Sequence, residues 1–214
     1  MEISIFDIIA NGIGNADISK VIEEKLCEKY KEKFLVKRIG NRYGAENNET
    51  VTTFCTPTNN ENLIFKVTLN QEQTKLEDDY KYRKVTYELE ECIQKEFKKY
   101  NIEIIVKSEI IGKNKIEDFV SVQEFINKFE NTSFLMYIIT KEEISKEILE
   151  KIYNSLNTKY INIYLKSVIY NTNEKDYKEL KEILKTVPSI NSSIIEKYNG
   201  IQNAIIKIHE NKVY

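Results

Sequence analysis

This chain is short of the residue types that most often announce chemistry: among its 214 residues are three cysteines, one histidine and three arginines. Cys27, Cys55 and Cys92 are odd in number and widely spaced, which argues against a disulfide framework and a CxxC-type metal site and points to a reducing compartment. The lone histidine, His209, has no neighbours at zinc-ligand spacing or in the order of a catalytic triad. Neither GxxxxGK[ST], GxGxxG nor GxSxG occurs, and Gly12-Ile13-Gly14 is a glycine pair without the preceding strand that a phosphate-binding turn requires. Long apolar runs are also missing. Ile3, Ile5, Phe6, Ile8 and Ile9 are interrupted by Glu2 and Asp7 and end at Gly12 and Gly14, too short a stretch to span a membrane and without a basic leader. Neither sign of charge dominates: 32 basic residues face 34 acidic ones, a net charge of −2, and the signs alternate along surface-like segments instead of forming the basic footprint of a nucleic-acid binder. The expectation is therefore no catalytic residue, no cofactor, no metal, no nucleic acid and no transmembrane segment. The expected location is cytoplasmic, or extracellular or in the cell envelope if a leader has been cleaved away.

What the chain does have is globular. Hydrophobic residues make up 41% and charged residues 31%, enough apolar surface for one large domain or two small ones. The expected class is α+β. Ile18, Val21, Ile22, Leu26 and Tyr30 recur at helical spacing after Asp17 or Ser19 as a cap. Phe34–Ile39, Thr50–Thr56 and Leu63–Leu69 follow as strands of an antiparallel meander, with Gly40 just before and Gly44 within the turn at 41–48. Val85, Leu89, Cys92, Ile93, Phe97 and Tyr100 form the apolar stripe of a helix expected to cover that meander, and Ile102–Ile111 reads as one more strand. The first unit is thus an α-β-β-β-α-β array over 1–112.

From 113 to 214 the rhythm changes to alternating helices and strands, in a second unit or a continuation of the first. Ser121 with Glu124, and Thr140 with Glu143, read as capping boxes. Phe134–Ile139 is continuously apolar, as in a strand buried on both faces. Ile161–Tyr170 and Ala204–His209 read as strands, with a helix over 174–185 that must stop before Pro188.

The scarce arginines, Arg38, Arg42 and Arg83, all fall in the first half, whereas lysines run from end to end. The guanidinium group is a planar fork that binds carboxylates or phosphates through paired hydrogen bonds. Tyr43 follows Arg42, and Tyr80 and Tyr82 precede Arg83. Arginine with tyrosine is a composition enriched at protein–protein contacts, so Arg38, Arg42, Tyr43, Tyr80, Tyr82 and Arg83 are the candidate partner-binding residues. The alternative is that the arginines brace the sheet against Glu77–Asp79 or Glu88. The acidic run Glu77-Asp78-Asp79 itself lacks the spacing of a calcium loop and suits a helix N-terminus. The three cysteines read as packing residues and His209 as an exposed strand residue.

Glu28-Lys29-Tyr30, Glu32, Phe34 and Val36, the glycine- and asparagine-rich turn and Asp78-Asp79-Tyr80 together resemble small uncharacterised proteins of Gram-positive bacteria. Some of these look like cell-envelope lipoproteins, others like accessory or immunity proteins of toxin and secretion loci. The resemblance covers the first half and implies no particular activity. Leu26-Cys27 departs from the lipoprotein pattern, because it lies in a charged helix with no apolar leader before it. Composition and resemblance together lead to the expectation of a non-enzymatic protein that binds another protein, of the immunity or accessory type. The alternatives are a small-ligand protein or enzyme with a site assembled from scattered residues between the halves, and a self-associating module.

Overall fold

Thr50, Val51, Thr52, Thr53 and Phe54 are consecutive residues that favour a pleated backbone, and they lie in an inner strand of the first sheet. The computed structural model describes residues 14–39, 50–112, 121–129 and 132–214, so the expected turn at 41–48, with Arg42 and Tyr43, lies outside the described residues. The chain divides into two units, Met1–Tyr80 and Lys81–Tyr214. The class is α+β.

In the first unit, helix α1 (Gly14–Tyr30) precedes strands β1 (Phe34–Ile39), β2 (Thr50–Pro57), β3 (Phe65–Asn70) and β4 (Leu76–Asp78), an antiparallel sheet in that order. The helix begins before both expected caps. The meander gains a fourth strand because Asn70 closes the turn between β3 and β4: its Oδ1 accepts from Lys75 N at 2.7 Å and its Nδ2 donates to Thr74 Oγ1 at 2.9 Å. Three residues are too few for β4 to show alternation in the sequence.

The second unit contains α2 (Tyr80–Lys98), which opens with the last residue of the first unit, followed by β5 (Ile104–Ile111), α3 (Val122–Lys128), β6 (Ser133–Thr140), α4 (Lys146–Lys159), β7 (Tyr164–Asn171), α5 (Glu174–Leu184), α6 (Ser192–Lys197), β8 (Ile201–His209) and β9 (Lys212–Val213). The strands form one mixed sheet in the order β5-β6-β7-β8-β9, with β6 and β7 parallel and the other pairs antiparallel. Helix α4 is the crossover that a parallel pair requires. One face of this sheet packs on α2, α3 and α4 through Val106, Phe134, Met136, Leu165 and Ile206. The other face packs on α5 and α6 through Ile105, Ile139, Val168 and Tyr170.

Two expectations are corrected by this arrangement. The stripe Val85, Leu89, Cys92, Ile93 and Phe97, expected on the meander, belongs to the core of the second sheet. With β5 laddered to β6 over eight residues, the chain divides at Tyr80/Lys81 instead of 112/113. The Ser121–Glu124 cap forms, Ser121 Oγ accepting from Glu124 N at 3.2 Å. Thr140, by contrast, ends β6 and turns the chain by accepting from Glu142 N at 3.1 Å, and α4 is capped by Ser145.

Strand β5 is an edge, and α2 supplies partners for it. Glu90 Oε1 accepts from Ser108 N at 2.6 Å, and Arg83 Nη1 donates to Ser108 O at 3.2 Å. The same guanidinium binds Glu90 with both terminal nitrogens, at 2.9 and 3.2 Å, and donates to Thr86 Oγ1 at 2.6 Å. Arg83 and Glu90 are each 4% exposed. A side-chain pair thus takes the hydrogen bonds that a neighbouring strand would otherwise take. Arg83→Met leaves the Glu90 carboxylate buried without its cation and should cost about 3 to 5 kcal/mol. The double variant Arg83→Met/Glu90→Leu should recover part of that loss in chemical denaturation; a single variant as stable as the parent would contradict the buried clamp.

Lys107, next to Ser108, is 8% exposed. Burial pushes its ammonium down to about 8, with Glu90 opposing and Arg83 adding to the shift. Between that value and the ordinary lysine value of 10.5 the unfolded chain holds a proton that the folded chain does not, so stability rises with pH. Buried tyrosine hydroxyls whose ionisation is pushed upward, such as Tyr153 and Tyr177, oppose this above about pH 10. Stability should therefore increase from about pH 8 to 10, and Lys107→Met should raise it at neutral pH and flatten that rise in urea titrations.

Candidate functional site

Of the residues expected to form a recognition surface, Arg38, Tyr80, Tyr82 and Arg83 are among the described residues. Arg38, on β1, is exposed. Tyr80 is buried at 3% exposure, its hydroxyl donating to Glu32 Oε1 at 2.6 Å, while Tyr82 is half-buried. Arg83 lies in the second unit on the Glu90 clamp, a bracing role against a carboxylate other than the expected Glu77–Asp79 or Glu88.

The residues that carried the family resemblance do meet within the first unit. Asp78 accepts from Tyr30 Oη at 2.6 Å, from Lys29 Nζ at 2.7 Å and from Tyr80 N at 3.1 Å. The rings of Tyr30, Phe34 and Tyr80 pack edge to face at 4.9 to 5.8 Å. Burial, then Asp78, pushes the Tyr30 hydroxyl far above its ordinary range, and burial with Glu32 does the same to Tyr80. These groups hold α1, β4 and the start of α2 together, as expected for carboxylates at a helix N-terminus. The nearby Asp79 accepts from Lys66 N at 2.6 Å.

The thiols differ in setting. Cys55 is fully buried and burial raises it to about 12. Cys92 is buried and accepts from Lys159 Nζ at 3.2 Å, a cation 67 positions away that no local pattern could reveal. Cys27 is exposed, contrary to the packing role expected for it. Among the described residues no group of three His, Cys, Asp or Glu side chains could hold a metal ion, and no helix is long and apolar enough to cross a membrane.

An open feature suited to recognition lies at the other end of the second sheet. Glu210 and Asn211 take left-handed φ values of 49° and 58°, the two-residue turn that reverses a hairpin with the right twist. Asn157 Nδ2 donates to Asn211 O at 2.8 Å, and Asn211 Oδ1 accepts from Asn162 N at 2.9 Å, which ties the hairpin to the end of α4. Because β9 is short, it and Tyr214 pair only with Lys207, Ile208 and His209. From Ile201 to Ile206, β8 has β7 on one side and, among the described residues, no strand on the other.

Lys207 exchanges both backbone bonds with Tyr214, so by strand alternation the N–H and C=O of Ile205 point to that same open side. Beside it runs a groove of about 860 Å³ between α4 and the hairpin, with Leu149, Ala204, Ile206 and Val213 in its apolar lining and Lys146, Glu150, Asn203 and Lys212 among its polar positions. Ile201 and Ile205 are 74% and 43% exposed. A bulge leaves Asn203 unpaired between Gln202 and Ala204, which limits the accessible ladder to the segment around Ile205. The sequence signal was faint: β8 carries isoleucine on both alternations, at Ile205 and Ile206, although only one of them is buried.

No protein-family model matches the sequence, and no curated protein does. The chain is similar to the crystal structure of a DUF5037 family protein from Ruminococcus gnavus, with a TM-score of 0.70 and 17% identity over 92% of this chain and 94% of that one. At that identity the likeness shows the fold alone. For the thiols the expectation is concrete: a disulfide reagent should modify Cys27 in the native protein, and Cys55 and Cys92 only after denaturation. Rapid native modification of all three would contradict their burial.

Proposed function

We propose that the chain is a non-enzymatic binding protein that takes up an extended segment of another protein by strand addition to β8. The observation that supports this reading is the open backbone at Ile205 beside the α4 groove. An added strand would gain main-chain hydrogen bonds from β8 and lay alternate side chains on Leu149, Ala204 and Ile206, which is how strand addition combines affinity with specificity. Exposed apolar edge residues are normally blunted by charge or proline; Ile201 and Ile205 stay exposed, and the charge near Ile205 comes from Lys146, Glu150 and Lys212 in the groove wall. A role as an immunity or accessory protein, the expectation drawn from composition and resemblance together, belongs to this same reading, because it too requires that the chain bind another protein.

Peptides selected from a displayed random library on the wild-type chain should alternate apolar and polar residues. Ile205→Pro, which removes the outward N–H, should weaken them by about tenfold or more, near 1.4 kcal/mol, while Arg38→Glu leaves them unchanged. Selected peptides lost on Arg38→Glu and indifferent to Ile205→Pro would overturn this reading in favour of the N-terminal unit. A wild-type dimer dispersed by Ile205→Pro would instead identify a second copy of the chain as the occupant.

A further inference from the structure

On the face of the second sheet that carries α5 and α6, beyond those helices, two lysines stand in an arrangement absent from the other lysines already described. Lys166 on β7 and Lys207 on β8 are partners in the antiparallel ladder, so both side chains leave the same face side by side. Like charges directly opposite one another are destabilising. Four exposed lysines of this unit meet carboxylates: Lys151 pairs with Glu147, Lys178 with Glu174, Lys181 with Glu103 and Lys185 with Glu182. Lys166 and Lys207 are exposed and have no such partner among the described residues.

The side chains around the pair are aromatic and basic. One pair further along the ladder, His209 meets Tyr164 edge to face, ring centroids 4.3 Å apart and planes at 82°. Lys212 is the ladder partner of His209 on β9. Tyr164, Lys166, Lys207, His209, Tyr214 and Ser133 line a cavity of about 510 Å³, with no aspartate or glutamate in its wall. The registered carboxylate on this face is Glu109 of β5, which pairs with Leu135, itself the neighbour of Lys166. It therefore stands two strands from Lys166, roughly 10 Å. The volume falls within the range of about 300 to 1,000 Å³ typical of small-molecule sites.

We propose that this cavity binds a small anion carrying a flat ring. The anionic group, a phosphate or a carboxylate, sits between the ammonium groups of Lys166 and Lys207 and replaces their mutual repulsion by two attractions. The ring lies against the tyrosines, of which Tyr214 is 64% exposed and has a face to offer. Lysines bind such a group as point charges, so ring contacts set which anion is preferred.

Calorimetry on the full chain with adenosine monophosphate, indole-3-acetate, inorganic phosphate and adenosine tests the site. At least one of the two ring anions should bind saturably and about tenfold more tightly than phosphate, and the uncharged nucleoside should not bind. Lys166→Gln/Lys207→Gln should weaken that ring anion by about tenfold or more, and Tyr214→Ala should weaken it without changing phosphate binding. Which ring anion binds distinguishes a phosphate ligand from a carboxylate one. No binding of either ring anion, or binding unchanged in the double lysine variant, overturns the proposal. Thermal unfolding provides a check that needs no ligand: at low ionic strength Lys166→Gln should melt above the wild type because the repulsion is gone. A variant that melts at or below the wild type removes the premise.

Discussion

The second unit depends on one buried ion pair placed where a strand would otherwise be. A sheet exposes unpaired N–H and C=O groups along each edge, and such groups must find partners or remain in water. Arg83 and Glu90, seven residues apart on α2, meet the backbone of Ser108 at the middle of β5, so that helix can lie over the edge and still bury Val85, Leu89 and Phe97 in the sheet's core. A desolvated guanidinium is tolerable only because carboxylate, hydroxyl and carbonyl oxygens all receive its hydrogens. This explains why a lysine-rich chain keeps an arginine there: an ammonium has no planar fork to bind Glu90 twice.

Much of the local structure was legible because it is set by local chemistry. The helical spacing of Tyr177, Leu180 and Leu184, the apolar run Phe134–Ile139 and the cap at Ser121 each require only neighbours in sequence. The allocation of α2 and β5 to the second sheet was not legible. Nothing local distinguishes a stripe that covers the meander from one that covers β5 to β8, since both offer the same apolar surface. The turns hid in a different way. With only six glycines in the chain, left-handed backbone falls to asparagine at Asn101, Asn162, Asn199 and Asn211, with φ between 54° and 62°, and asparagine also caps α5 and α6.

The site was the least legible part. Arginine scarcity drew attention to Arg83 as a partner-binding candidate, but composition does not say whether a guanidinium faces inward or outward, and its partner Glu90 lies on the same helix instead of the acidic run before it. The resemblance residues Lys29, Tyr30, Glu32, Phe34, Asp78 and Tyr80 likewise turned out to be joined to one another. Conversely, the open part of β8 reads in sequence as an ordinary buried strand, because what distinguishes it is the shortness of β9 beside it.

The two edges of the second sheet are unequal, and that inequality limits how the chain can assemble. Growth of a sheet by successive additions needs a free acceptor edge on each newcomer as well as on the template. Here β5 is blocked at its middle by α2, so copies of this sheet cannot stack edge to edge in a head-to-tail series. If β8 pairs with a second β8, the product is a closed two-fold pair in which neither copy has a free β8 left for a third. The Arg83–Glu90 clamp therefore acts as a chain terminator for this sheet: it closes one of its two edges to strand addition at the middle of β5.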